Sequence, residues 1–379
     1  MNAKITSEDV IPILQKLITH KTINPPGITI DAVKYIEKIL TEENIKVEIQ
    51  EYHEGRANLI AEYGEGETST ILCGHIDVVP AGDEEKWTFP PFSGTVNDGK
   101  IYGRGATDMK GAVAAFLALI LHLKKIGYKG NKKVKLLITS DEEIGMEGAK
   151  QALKTGVMDD CDFIVIGEPT ELKIALAQKG IVWLKAKVRG KSAHGSTPHY
   201  GVNAILNASK FITQTFEHLP TQEHSLLGHS TLNIGQIKGG VAPNVVPEYC
   251  EVILDYRVIP GIDFDDMIEQ IKQLATKFNN ENDAKVEIEV MHLTRAIETT
   301  ADNSHIESLI ELCKENNDLK DVIGVMYGTD GAFLVPKNNT PFVIFGPGKL
   351  NLLHVTDEYT EIDEVVKYTN ILLEMIENE

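Results

Sequence analysis

Residues 69–77 read Ser-Thr-Ile-Leu-Cys-Gly-His-Ile-Asp. The run 69–73 is short and apolar, stops at Gly74, and hands on two polar side chains, His75 and Asp77. A short apolar run of this kind reads as a strand covered on both faces. Because strand side chains alternate, His75 and Asp77 fall on the same side. The figure recurs downstream: 134–139 ends at Ser140-Asp141-Glu142-Glu143, and 163–166 ends at Gly167-Glu168. Between them, 111–123 is rich in alanine and leucine and predicts a helix buried on much of its surface. Apolar strands alternating with helices predict an α/β fold with a mostly parallel central sheet covered by helices. In such sheets ligands collect beyond the carboxyl ends of the strands. His75, Glu142, Glu143 and Glu168 are therefore expected on one rim.

Upstream, Ser7 followed by Val10, Ile11, Leu14, Leu17 and Ile18 predicts a helix capped by Ser7. Residues 32–40 repeat the helical pattern, and 47–50 and 58–63 read as strands. From 178 to 292 the rhythm changes to strand 181–188, helix 203–216, strands 230–237 and 248–258, helix 263–278 and strand 285–291. Two strand–helix–strand units predict a small α+β domain with a four-stranded antiparallel sheet. The first rhythm resumes at 306–313, 341–345 and 365–376. The expected organisation is a discontinuous catalytic domain, 1–177 and 293–379, with a lid domain, 178–292, inserted into it.

A chain of 379 residues exceeds one ordinary core. Its net charge of -19 repels nucleic acid and anionic membrane surfaces, so neither is an expected partner. Residues 1–14 lack the apolar core of a signal peptide, and no window approaches the roughly 20 apolar residues of a membrane span. Cys73, Cys161, Cys250 and Cys313 form no CxxC pair and read as buried thiols of a reducing compartment. The expected location is cytoplasmic.

Taken alone, His75-Ile76-Asp77 reads first as a surface histidine beside a turn aspartate. The chemical alternative is a metal-bound imidazole whose second ring N–H meets a carboxylate. Asp108 lies in Gly103-Arg104-Gly105-Ala106-Thr107-Asp108-Met109-Lys110-Gly111. Alone it reads first as the cap of the helix that follows, and the segment lacks the GxxxxGK[ST] spacing of a phosphate loop. Asp141-Glu142-Glu143 is costly unless water or cations offset the like charges. Two adjacent acids also allow one to bind metal while the other acts as a base. Glu168 and His354 each have an ordinary structural reading too. Jointly, two histidines and three acids suit zinc, or cobalt or manganese, better than magnesium or calcium. The absence of cysteine ligands points to an open, catalytic site.

Six segments together resemble the M20 metallopeptidase family: GHIDVVPAGDEEKWTFPPFSGTVNDGKIYGRGATDMKG, TSDEEIG, IGEPT, GKSAHGSTPHYGVNAI, GGVAPNVVP and FGPGKLNLLHVTDE. They follow the family's order over nearly the whole chain. The resemblance implies a zinc-exopeptidase-like catalytic domain with an inserted lid and dimerisation domain, hence a homodimer. It implies two divalent ions per chain, Zn2+ foremost with Co2+ or Mn2+ as alternatives. His75, Asp108 and Glu168 would hold one ion, and Asp108 would bridge to a second held by Glu143 and His354. Asp77 would orient His75, Glu142 would be the general base, and the Asp108–Met109 peptide would be cis. His194 of the inserted domain, often supplied by a partner subunit in the family, would support the oxyanion together with Asn244. Arg257 would bind a substrate carboxylate, and Thr329 would line a substrate-contacting loop. The implied reaction is hydrolysis of a linear amide that frees an amino acid from its N-acyl group. N-succinyl-LL-2,6-diaminopimelate leads as substrate, then N-acetylornithine, then dipeptides. The arginine-rich segment typical of proteobacterial desuccinylases is replaced here by Gln178-Lys179-Gly180. A metal-free binding protein is the remaining alternative.

Overall fold

The computed structural model describes residues 4–317, 322–337 and 339–378. The chain divides into two units, Met1–Leu176 with Glu298–Gly324 and Thr329–Glu379, and Ala177–Ile297 with Val325–Gly328.

The first unit is built on a sheet that runs Lys46–His53, Arg56–Tyr63, Lys133–Thr139, Ser69–His75, Cys161–Ile166, Phe342–Ile344 and Ala175–Gln178. The four strands from Lys133–Thr139 to Phe342–Ile344 are parallel, and antiparallel neighbours flank them. The sheet is thus mixed, with its parallel part at the centre. That is where the uninterrupted apolar runs lie, and every residue of Ser69–His75 is buried. In register, Cys73 sits opposite both Leu137 and Ile166, so three strands reach the same rim.

Helix Lys110–Lys125 packs on this centre, and every residue from Lys110 to Ile120 is buried. Two glycines permit the approach. A Cβ on Gly74 would lie 2.6 Å from Met109 Cε, and one on Gly167 2.8 Å from Ala112 Cβ. The first would displace the Met109 side chain, and the second would push the helix off the strand end. Helix Ser7–Thr19 forms as expected, but its cap is Thr6. Thr6 N–H donates to the Asp9 carboxylate at 2.8 Å, a box that fixes the start one residue before Ser7. A small sheet of Thr95–Asn97, Lys100–Tyr102 and Tyr359–Glu361 has no counterpart in the sequence reading. Strands of three residues are too short for a periodicity to register.

The second unit carries a four-stranded antiparallel sheet in the order Thr231–Gly239, Tyr249–Val258, Gly180–Arg189, Lys285–Thr294. Cys250, Val252, Leu254, Tyr256 and Val258 alternate inward along one strand. They meet helices Ala204–Phe216 and Phe264–Glu281, where Phe211 and Phe278 pack edge to face at 5.6 Å. Asn203 and Asp263 cap these helices through their side chains. Among the described residues no helix is long and apolar enough to cross a membrane.

Candidate metal centre

His75 closes its strand and is buried. Its Nδ1 lies 3.0 Å from the Asp77 carbonyl oxygen. Donation of an Nδ1 proton to that carbonyl leaves the Nε2 lone pair free for a cation. Nε2 faces Asp108 Oδ1 at 3.2 Å and Glu168 Oε1 at 3.6 Å. The other Asp108 oxygen, Oδ2, is 3.2 Å from His354 Nε2, which in turn lies 3.2 Å from Glu143 Oε2. Asp108 therefore stands between the two imidazoles and offers one oxygen to each. Ligand atoms of His75, Asp108 and Glu143 lie within 4.8 Å of one another, as do those of His75, Glu142 and Glu168.

Helix capping does not account for Asp108. Met109 occupies the cap position, with no side-chain cap bond, and the Asp108–Met109 peptide is cis. The loop is held instead by the buried Glu358. Its Oε1 accepts the N–H groups of Thr107 at 2.9 Å and Asp108 at 3.1 Å, and its Oε2 pairs with Arg104. His354, four residues before Glu358, sits on a loop at φ +60° and is half exposed.

Asp77 departs from the expected contact. Its Oδ1 is 3.6 Å from His75 Nδ1, and the carboxylate accepts closer bonds from the Asn24 amide at 2.9 Å and from the backbone N–H groups of Glu142 at 3.2 Å and Glu143 at 3.3 Å. It anchors the turn that carries the two glutamates.

The electrostatics follow from burial. Loss of solvent pushes the carboxyls of Glu142 and Glu168 well above the usual range and raises Glu143, and their mutual repulsion adds to this. Burial alone would depress His75, but Glu168, Asp108 and Glu142 hold it well above the ordinary imidazole value. Asp108 and Glu143 lift His354 to about 10. Burial opposes ionisation of Asp108, yet its two histidine partners hold it well below the carboxylate range. So many buried acids at one spot attract protons strongly, which is also how they would attract cations. Glu143 Oε1 is buried with no hydrogen-bond partner among the described residues. An orphaned carboxylate oxygen in a set of two imidazoles and several carboxylates fits divalent ions of the zinc type.

The remaining expected residues are divided between the two units. In the second unit, His194 pairs with Val245 in a β-bridge, and Gly195 N–H donates to the Asn244 carbonyl at 2.7 Å, so His194 and Asn244 are neighbours. Both are exposed, and His194 Nδ1 meets the Ser196 hydroxyl at 2.8 Å. Arg257 forks onto Asp255 at 2.8 and 3.2 Å. Lys179 is buried, with its ammonium on the His229 carbonyl at 2.6 Å. Thr329, in the first unit, accepts Gly331 N–H at 3.1 Å. Sequence reasoning assigned no role to Glu358 and placed Asp330 only within a substrate-contacting loop; Asp330 Oδ2 accepts the Thr139 hydroxyl, and burial pushes its carboxyl to about 6. The one available signal for Glu358 was its place four residues beyond His354.

Peptidase family M20/M25/M40 matches residues 71–378. The chain belongs to this family. M20 membership makes it a metallohydrolase of linear amide bonds, in a family that depends on a dinuclear metal centre. Among curated relatives, a Staphylococcus aureus (strain MRSA252) protein named "probable succinyl-diaminopimelate desuccinylase" is 31% identical, with 97% of each chain covered. The acetylornithine deacetylase of Aliivibrio fischeri (strain ATCC 700601 / ES114) is 34% identical over 87% of this chain and 86% of its own. The fold matches that of an M20 family metallo-carboxypeptidase from Sulfolobus solfataricus, with a TM-score of 0.83 at 20% identity over 98% of this chain and 100% of that one.

Proposed function

We propose that this M20 protein removes N-acyl groups from amino acids, with N-succinyl-LL-2,6-diaminopimelate as its substrate and succinate and LL-2,6-diaminopimelate as products. The observation that carries the reading is Asp108, set between His75 and His354 at 3.2 Å from each. His75, Asp108 and Glu168 would hold one ion and Asp108, Glu143 and His354 the other, with zinc as the physiological metal. When bound, such a pair makes water acidic near neutral pH and polarises the amide carbonyl.

Glu142 serves as the base. It takes one proton from water as the water oxygen adds to the amide carbon, and delivers a proton to nitrogen as the C–N bond breaks. Burial raises its pKa, the direction needed in a group that must hold a proton before passing it on. In this reading the first unit is catalytic and the second is the lid and dimerisation unit. His194 and Asn244 support the carbonyl oxygen as it gains charge. Arg257 and Lys179 recognise carboxylates, Lys179 as a point charge. Thr329 contacts substrate, and the active species is a cytoplasmic homodimer.

The name of the Staphylococcus aureus relative supports the succinyl substrate. N-acetylornithine is the second reading, favoured by the higher identity to the Aliivibrio fischeri deacetylase. Amine release from N-succinyl-diaminopimelate, N-acetylornithine and a set of dipeptides, each with zinc, cobalt or manganese supplied, decides among them. Fastest turnover of the succinyl substrate is expected. Turnover of none by protein carrying two ions would end the reading. Light scattering on eluting protein tests the dimer.

A further inference from the structure

A buried polar relay of side chains that are not themselves metal ligands runs behind the centre. The side-chain nitrogen of Asn24 donates to two carboxylates at once, Asp77 Oδ2 at 2.9 Å and Asp141 Oδ1 at 2.8 Å. Its oxygen, also buried, has no partner among the described residues. An amide oriented this way serves the two acids at the expense of its own acceptor, which is costly unless the acids must be held. Asp141 Oδ2 accepts from the Tyr52 hydroxyl at 3.1 Å and from Arg56 at 3.0 Å. The turn that follows is constrained, with Asp141 at φ +62°, a region non-glycine residues seldom occupy. Gly27 makes room for the relay: at φ +76° it brings its backbone so close that a Cβ would lie 2.7 Å from Asp141 Oδ1 and 2.8 Å from Asn24 Oδ1.

From its other end the relay reaches the chemistry. Asp77 accepts the backbone N–H groups of Glu142 and Glu143, the pair that carries the base and a metal ligand. Two buried aspartates side by side would repel. The shared amide and the Arg56 charge let both stay in place.

We propose that Asn24, Asp141 and Arg56 are positioning residues, which fix the Glu142-Glu143 backbone through Asp77 and so set both the aim of the base and the affinity of the ion held by Glu143 and His354. The inference rests on the roles of Glu142 and Glu143 given above. It makes a lopsided forecast, because the carboxylate of Asp77 holds Glu142 and Glu143 whereas His75 hangs on the Asp77 carbonyl. Loosening the relay should weaken one ion and spare the other.

The test is a calorimetric titration of metal-free protein with Zn2+, together with kinetics on the zinc-loaded enzyme. Asn24→Ala is expected to weaken one of the two ions about 10-fold and to leave the other within two-fold. On the preferred substrate kcat should fall about 10- to 100-fold with little change in KM. Arg56→Met, at a partly exposed position, should do the same to a smaller degree, and Arg56→Lys should recover most of the loss. If Asn24→Ala does not fold, the Arg56 pair decides alone. Wild-type ion affinities and kcat in a folded variant overturn the proposal, as does equal weakening of both ions. Wild-type protein that binds two ions yet hydrolyses nothing in the panel sinks the functional reading, while the lopsided titration still reports on the relay.

Discussion

The two sides of Asp108 are built differently. On one side His75 is 1% exposed at the end of a central strand, with Glu168, 5% exposed, just beyond the end of the next. On the other, His354 is 50% exposed and rides on a loop in a left-handed conformation. Strand ends inside a packed core have almost no freedom, so the His75 side is preorganised before any ion arrives. The His354 side keeps solvent access, as a site that must admit substrate requires. The contrast teaches a division: one imidazole belongs to the core and the other to the mouth.

The largest effect that could break this picture comes from the shared group. Asp108→Ala should abolish binding of both ions by metal analysis and take activity below detection; firm retention of one ion would mean the carboxylate is not shared. Glu142→Ala should keep both ions and lose roughly 10²–10⁴-fold in kcat; near-normal turnover would remove Glu142 as the base. The two histidines should then separate. His354→Ala should leave a folded protein with one tight ion. His75→Ala should destabilise the fold by roughly 3–5 kcal/mol in addition, because it strips a partner from buried acids. Equal thermal melts for the two would erase the distinction between core and mouth.

Acidity sharpens the comparison further. In the metal-free protein His75, His354, Glu142 and Glu168 all hold protons more tightly folded than unfolded. For the glutamates the resulting stability is complete below about 4.5, and for the histidines below about 6.5. It is lost as pH rises through the folded values, that of His354 near 10. Ions compete with these protons, so the melting temperature gained on adding zinc should widen from pH 5 to pH 8. A gap that narrows would contradict the assignment. The smallest effect concerns the mouth alone. Asp357 accepts Thr88 N–H at 2.6 Å and its hydroxyl at 2.8 Å, which tethers the His354 loop. Asp357→Ala should cost about 1 kcal/mol and slightly weaken one ion in a zinc titration.

The core side was the legible side. His75, Glu142, Glu143 and Glu168 end apolar runs, and a strand rule alone gathers them on one rim. Asp108 and His354 lie on loops, where no periodicity speaks, so the residues offer them only within a joint count of two histidines and three acids, and the resemblance to M20 sequences supplies their place. Asn24, behind them, left no trace at all. Asn24 is 53 residues from Asp77 and 117 from Asp141, and hydrogen bonds across such separations have no signature in a single sequence. Short strands such as Lys100–Tyr102 were lost for want of length, whereas the mostly parallel sheet was legible from its uninterrupted apolar runs.

One consequence follows from helix Lys110–Lys125, which starts two residues after the shared aspartate. Its first side chain, Lys110, is wholly enclosed and donates to the carbonyls of Leu17 and His20, at the end of helix Ser7–Thr19. That end cannot fray outward, since its ammonium would have to leave those carbonyls through closely packed side chains. Amides in its first turns should therefore exchange with deuterated water only when the whole unit opens, and zinc should slow them in step with the stability it adds to the fold. The pivot of the centre is thus mounted on a helix end pinned inside the core.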